Sequence, residues 1–201
     1  MKSVESAAGL DPAVAKRLVV ITAPSGAGKS TLIHRLMQAD PTLVFSVSHT
    51  TRAPRPGETH GVNYYFTGPA EFERMVSAGE FLEHAEVHGR QYGTSFAEIR
   101  RLAALGKRVV LDIDVQGSLE LQKRYPALYI FISVASVDVL RRRLEQRATD
   151  SQETIERRMA NAVYELSFQE RWPHVVVNDQ LERAEKELHQ LIDSHLPRLA
   201  S

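Results

Sequence analysis

The residues best suited to chemistry lie in the stretch Ala23-Pro24-Ser25-Gly26-Ala27-Gly28-Lys29-Ser30-Thr31. What this stretch suits is the holding of phosphate. Glycines let successive backbone N–H groups turn inward around phosphate oxygens, and a helix starting just after them adds unsatisfied N-terminal donors and a positive dipole end. A lysine closing such a loop reaches the outer phosphates of a nucleoside triphosphate, and the hydroxyl that follows it coordinates Mg²⁺. Lys29 and Ser30 occupy those two positions, with Ser25, Gly26, Ala27, Gly28 and Thr31 completing the cradle. The usual pattern begins with glycine, and here that position is Ala23.

Two further sets of residues have matching chemistry. Val109-Val110-Leu111-Asp112-Ile113-Asp114 ends an apolar run with two carboxylates. Residues i and i+2 share one face of a strand, and ligands gather at the carboxyl ends of parallel strands. Asp112 is the better placed of the two to reach Mg²⁺ through water, while either aspartate also suits the cap of the helix that follows. Farther upstream, Ser48-His49-Thr50-Thr51-Arg52-Ala53-Pro54-Arg55-Pro56-Gly57-Glu58 sets two arginines three residues apart on stiff backbone, with Tyr64 and Tyr65 beyond. Guanidinium forks match phosphate oxygens two at a time, so this loop reads as a monophosphate clamp. Taken alone, such an Arg-Pro-rich loop is ordinarily a solvated surface turn.

Elements that place these residues are visible in the hydrophobic pattern. Short apolar runs rich in β-branched residues start at Leu18, Arg108, Leu128 and His174 and suit strands buried on both faces. Between them lie amphipathic segments at 29–38, 95–105, 117–125, 136–146, 152–168 and 180–195. Strands alternating with helices imply an α/β fold, a parallel sheet covered by helices. From Ser48 to Thr94 the rhythm breaks into short runs (62–67, 81–87, 91–94) and a helical stretch (69–78), which predicts a small α+β insertion with a hairpin turn at Gly89. The expected organisation is an N-terminal extension (1–17), a core (18–47 and 95–201) carrying a lid at about 141–158, and the insertion (48–94). The polar segment 147–153 separates two helices and is the mobile part of that lid.

Composition narrows the partners. The 201 residues hold 25 Lys+Arg against 25 Asp+Glu and no cysteine. Zero net charge argues against a basic nucleic-acid coat, and the missing thiols exclude disulfides, a cysteine nucleophile and Cys-ligated zinc. No apolar run approaches the roughly 18–20 residues of a membrane span, and the first sixteen residues lack the apolar core of a secretory signal. A soluble, cytoplasmic protein acting on small molecules is the expectation, with its oligomeric state left open. The neutral total hides segregation: 141–158 holds six Arg against four acids, and 178–195 holds five acids against two bases.

With these residues in view, the chain resembles the bacterial guanylate kinases from about Leu18 to Leu191. The resemblance rests on Ser25 to Ser30, Ser46 to Arg52, Pro54 to Glu58, Phe81 to Ala85, Tyr92 to Ser95, Leu111 to Asp114 and Val177-Asn178-Asp179. It implies a P-loop nucleoside monophosphate kinase fold and in-line phosphoryl transfer from ATP to GMP with Mg²⁺. Arg52, Arg55, Tyr64 and Tyr92 would then hold the GMP phosphate, and Ser48, Glu83, Thr94 and Asp114 would read guanine. Physics agrees for Glu83. Guanine offers N1–H and N2–H₂ to a carboxylate, whereas adenine would set a lone pair against it. The resemblance assigns the donor phosphates to Lys29 with lid residues Arg147 and Arg158, and contacts near adenine to Asn178.

Two departures touch the lid and the adenine end: the lid lacks the family's glycines, and Gln180 stands where relatives repeat an acid. His84-Ala85-Glu86-Val87-His88 imitates a zinc motif, but on a strand its two histidines lie about 13 Å apart. Two other readings compete. A different P-loop phosphotransferase would lack the guanine-reading set. A non-catalytic relative that binds phosphopeptides would lose Lys29, Ser30, Arg147 and Arg158, all of which are present.

Overall fold

The computed structural model describes residues 9–87, 89–146 and 151–196. In chain order the elements are α1 (Pro12–Ala15), β1 (Leu18–Thr22), α2 (Lys29–Ala39), β2 (Leu43–Phe45), β3 (His49–Thr50), β4 (Tyr65–Phe66), α3 (Pro69–Ser77), β5 (Phe81–Val87) and β6 (Arg90–Ser95). Next come α4 (Phe96–Ala103), β7 (Arg108–Asp112), α5 (Val115–Gln122), β8 (Leu128–Ser133), α6 (Val137–Glu145), α7 (Gln152–Leu166), β9 (His174–Val177) and α8 (Leu181–His195).

Five strands form a parallel sheet in the order β2-β7-β1-β8-β9. Its middle strand, β1, is buried along its whole length. Alternation divides that burial between two faces. Val19 and Ile21 join Leu32 and Leu36 of α2, Leu140 and Leu144 of α6, Met159 of α7 and Leu188 of α8. Leu18 and Val20 join Ile99 of α4, Leu121 of α5, Leu82 of β5 and Trp172. Because all five strands run the same way, their carboxyl ends meet at one rim, where β1 runs into the glycine loop and β7 ends at Asp112, in register with Ile21.

A second sheet, β4-β3-β6-β5, is built from residues 49–95, with antiparallel β5 and β6 turning at Gly89, whose φ is 71°. Phe72, Met75 and Phe81 pack beneath it as a small core of their own.

The α/β architecture with a helix-covered parallel sheet is therefore as expected, with local corrections. The helix expected at 117–125 is α5, 115–122, because Asp114 accepts the Gln116 and Gly117 N–H groups and starts it earlier. The run at 62–67 shrinks to Tyr65–Phe66. Residues 59–64 close a turn instead, in which Thr59 N–H donates to Asn63 Oδ1 at 2.8 Å and Gly61 N–H to the Tyr64 carbonyl at 2.9 Å. Edge strand β2 and the short α1 were not expected. The expected lid falls on the end of α6 and the start of α7, and its residues 147–150 lie outside the described residues.

Candidate active site

The glycine loop is braced from three directions. Gly28 caps α2 in the left-handed region, φ 88°, and a Cβ there would stand 2.5 Å from Asn178 Nδ2. Only glycine admits that approach, which lets Asn178 donate its side-chain amide to the Ala27 carbonyl at 2.7 Å. Arg143 donates to the same carbonyl at 3.2 Å and to the Asn178 carbonyl at 2.9 Å. Over the loop, α7 presents two side chains to Ser25. Arg158 donates to the Ser25 hydroxyl at 3.0 Å, and Glu165 accepts the Ser25 N–H at 3.1 Å. Burial, opposed by that hydrogen bond, raises the Glu165 carboxyl above its ordinary range. Lys29 forms an ion pair with Asp112 across the mouth of the loop.

Arg143 and Glu165 were missed by sequence reasoning. Their signal was helical spacing. Glu165 follows Arg158 by seven residues, two turns along one face, and Arg143 neighbours the core residue Leu144.

The clamp expected at Arg52 and Arg55 is organised around Glu58. Its carboxylate takes both Arg52 nitrogens, at 2.8 and 2.9 Å, and the Arg55 N–H at 2.7 Å. Those bonds hold Glu58 at about 2, far below an ordinary carboxyl. The Arg52 guanidinium lies over the Tyr64 ring at 5.3 Å, and Tyr64 meets Tyr92 edge-on at 5.9 Å between centroids. Glu58 thus aims Arg52, a role that sequence reasoning had not given it.

Ser48, Thr94 and Glu83 are brought together as expected. The Ser48 and Thr94 hydroxyls lie 3.2 Å apart, and Glu83 Oε1 accepts the Thr94 N–H at 3.0 Å. Burial raises the Glu83 carboxyl to about 7, with the Asp114 charge adding to the rise and the hydroxyl and N–H of Thr94 opposing it. Asp114 commits Oδ1 to the start of α5, at 2.8 and 3.0 Å from the Gln116 and Gly117 nitrogens.

One cavity of about 420 Å³ joins the two ends. Lys29, Ser30, Asp112 and Arg158 line it on the loop side, and Ser48, Arg52, Arg55, Tyr64, Glu83 and Tyr92 on the insertion side, with Asp114 and Glu165 between. Ala27 and Thr94 sit buried behind its wall. Asn178 faces a separate recess of about 400 Å³ on the far side of the loop, beside Arg143 and Asp179. Arg147 and His88 lie outside the described residues.

The family model for guanylate kinase matches residues 15–195. The chain is 45% identical to the guanylate kinase of Alkalilimnicola ehrlichii over 183 residues, 90% of each chain. It is 46% identical to that of Geobacter sulfurreducens over 184 residues, 91% of each. Among solved structures, guanylate kinase from Anaplasma phagocytophilum superposes with a TM-score of 0.71 at 33% identity, covering 89% of this chain and 86% of that one.

Proposed function

Since this chain belongs to the guanylate kinase family and transfers a phosphoryl group from ATP to GMP, yielding ADP and GDP, we propose how its residues divide that work. The supporting observation is one shared cavity, lined by Lys29 and Arg158 as well as by Arg52 and Glu83. ATP enters with its phosphates over Lys29, Ser30 and the loop from Ser25 to Thr31, and its adenine toward the recess beside Asn178. GMP enters from the insertion, its phosphate on Arg52, Arg55, Tyr64 and Tyr92 and its guanine on Ser48, Glu83, Thr94 and Asp114.

Positioning and charge stabilisation carry the chemistry. A loose phosphoryl transition state spreads charge over its equatorial oxygens, and cations held in place beforehand stabilise that charge at no reorganisation cost. Lys29 and Arg158 are two such cations, and the family resemblance adds Arg147, outside the described residues, as a third. The acceptor is an oxygen of the GMP phosphate, attacking in line, so no covalent enzyme intermediate forms.

The Ser30 hydroxyl and the Asp112 carboxylate border the same space and offer the hard oxygen donors that Mg²⁺ takes. They would hold the ion, Ser30 directly and Asp112 through water. When bound, it supplies charge neutralisation on the transferring phosphates. Both substrates are soluble anions, and the cytoplasm is where we place the reaction. Among the described residues no helix is long and apolar enough to cross a membrane.

The test is an acceptor panel: purified protein with ATP, Mg²⁺ and GMP, AMP, CMP or UMP, following ADP release. ADP in step with GDP from GMP, and little from the others, is expected. Equal turnover of all four would overturn the assignment of Glu83 and its neighbours.

A further inference from the structure

Gly117 is the third residue of α5, and its N–H donates to Asp114 Oδ1 at 3.0 Å. Its backbone is ordinary helix, outside the positive-φ set, so no conformational demand calls for glycine there. Glycine in a helix also costs about 1 kcal/mol against alanine. What the missing side chain provides is room. A Cβ on Gly117 would stand 2.9 Å from Glu83 Oε2, 2.8 Å from Ile113 Cγ2 and 3.7 Å from Asp114 Oδ2. The first two lie inside the closest approach that real Cβ atoms make.

The contact joins parts of the chain that are remote in sequence. Glu83 belongs to β5 of the smaller sheet, and Gly117 to a helix packed on the larger one. The Glu83 carboxylate is thereby located at both oxygens, Oε1 by the Thr94 N–H and Oε2 by the first turn of α5.

We propose that Gly117 is a specificity-determining positioning residue: its bare Cα lets α5 close on Glu83 and sets the carboxylate where guanine's two donors meet it. This rests on the reading of Glu83 as the guanine acceptor. A carboxylate is the free end of a flexible side chain and yields more readily than backbone. A methyl group at 117 therefore displaces Glu83; its contact with the buried Ile113 Cγ2 adds a packing cost that is the same whether or not Glu83 is present, while the glycine loop keeps its own contacts with Asn178, Arg143 and Arg158.

A double-mutant cycle on the full chain tests this, with Gly117→Ala, Glu83→Ala and the double variant assayed for KM of GMP, KM of ATP, kcat and thermal midpoint. Gly117→Ala is expected to raise KM for GMP about tenfold, within the coupling range of residues in contact, with KM for ATP nearly unchanged and the fall in thermal midpoint from the Ile113 contact the same in both backgrounds. In the Glu83→Ala background no carboxylate remains to be displaced, and the same change is expected to shift KM for GMP by less than about twofold. An equal loss in both backgrounds, a parallel loss of ATP binding, or failure to fold in both backgrounds overturns the proposal in favour of packing against Ile113. Glu83→Ala alone separates the two readings. If it leaves KM for GMP unchanged, the guanine assignment has failed; if it raises KM while Gly117→Ala does not, only the role of Gly117 has.

Discussion

The side-chain amide of Asn178 donates to the Ala27 carbonyl at 2.7 Å, so the edge strand β9 props up the loop that grows from the middle strand β1. Arg143 reaches the same carbonyl. Removing Asn178 therefore weakens the brace without orphaning that carbonyl. A buried hydrogen bond of this kind contributes about 1 kcal/mol. Asn178→Ala is expected to raise KM for ATP about fivefold by that measure, with KM for GMP little changed. Initial rates with each substrate varied in turn check it, and equal changes in both KM values would contradict it.

Lys29 sits in an ion pair with Asp112 at the loop mouth, placed to move onto phosphate when ATP arrives. Lys29→Ala removes one fixed cation from the transition state. Loss of a comparable donor elsewhere costs about 10²- to 10³-fold in kcat, and a fall of at least that size is expected in a coupled ADP-release assay. Its far-ultraviolet circular dichroism should match the parent, since Lys29 is not part of the apolar core. Near-normal turnover would sink the mechanism.

Glu83 gives GMP binding a pH dependence of definite sign. Its carboxyl titrates at about 7 in the nucleotide-free protein, and guanine's donors need the ionised form. Above that pH affinity is flat. Below it, binding must first expel a proton, and affinity falls toward about tenfold per pH unit until the pKa of the complex is reached. Glu83→Gln removes this slope but keeps any contribution from the second phosphate ionisation near about 6. For stability the sign is opposite. The folded chain holds a proton that the unfolded chain has released, so this group's contribution is full below about 4.5 and lost as pH rises through about 7. Calorimetric titrations of parent and variant with GMP, across pH 5.5 to 8, would show identical slopes if Glu83 were not the acceptor.

Stability rests in part on a cluster at the opposite end of the sheet. Arg108, 2% exposed, begins β7 and donates to Asp40 at 2.5 Å, Thr42 Oγ1 at 2.7 Å, Asp193 at 2.7 Å and the Leu196 carbonyl at 2.9 Å. Breaking one side of a buried pair costs about 3 kcal/mol where the other charge is left uncompensated, and less here because Asp193 still pairs with Arg108. Asp40→Ala is expected to lower the thermal midpoint by several degrees and leave kcat at low temperature intact, since Asp112 and the loop lie four residues along the strand. An unchanged midpoint would contradict the buried-pair account.

The glycine loop, Asp112 and the two arginines at 52 and 55, which line one cavity, could be singled out in the sequence because each set is marked by spacing within one short segment. The buried strands were legible because a sheet covered on both faces imposes unbroken apolar runs, as in β1 and β8. Leu43-Val44-Phe45 was not, since three apolar residues after a helix look like its tail. Only pairing with β7 makes them a strand. Arg143 and Glu165 escaped because their roles depend on how α6 and α7 pack against the loop. Gly117 escaped for the same reason: the close approach that requires glycine is made to Glu83, far away in the chain.

The most direct test of the whole account is the ratio of kcat/KM for GMP to that for AMP, measured with Mg²⁺ and saturating ATP in the parent and in Glu83→Ala. A site built to receive hydrogen-bond donors rejects a nucleotide that lacks them by about 10⁴-fold or more. The account predicts a ratio of that order in the parent and its collapse, through loss of GMP use, in the variant. A ratio that survives the loss of Glu83 would place guanine elsewhere and contradict the account.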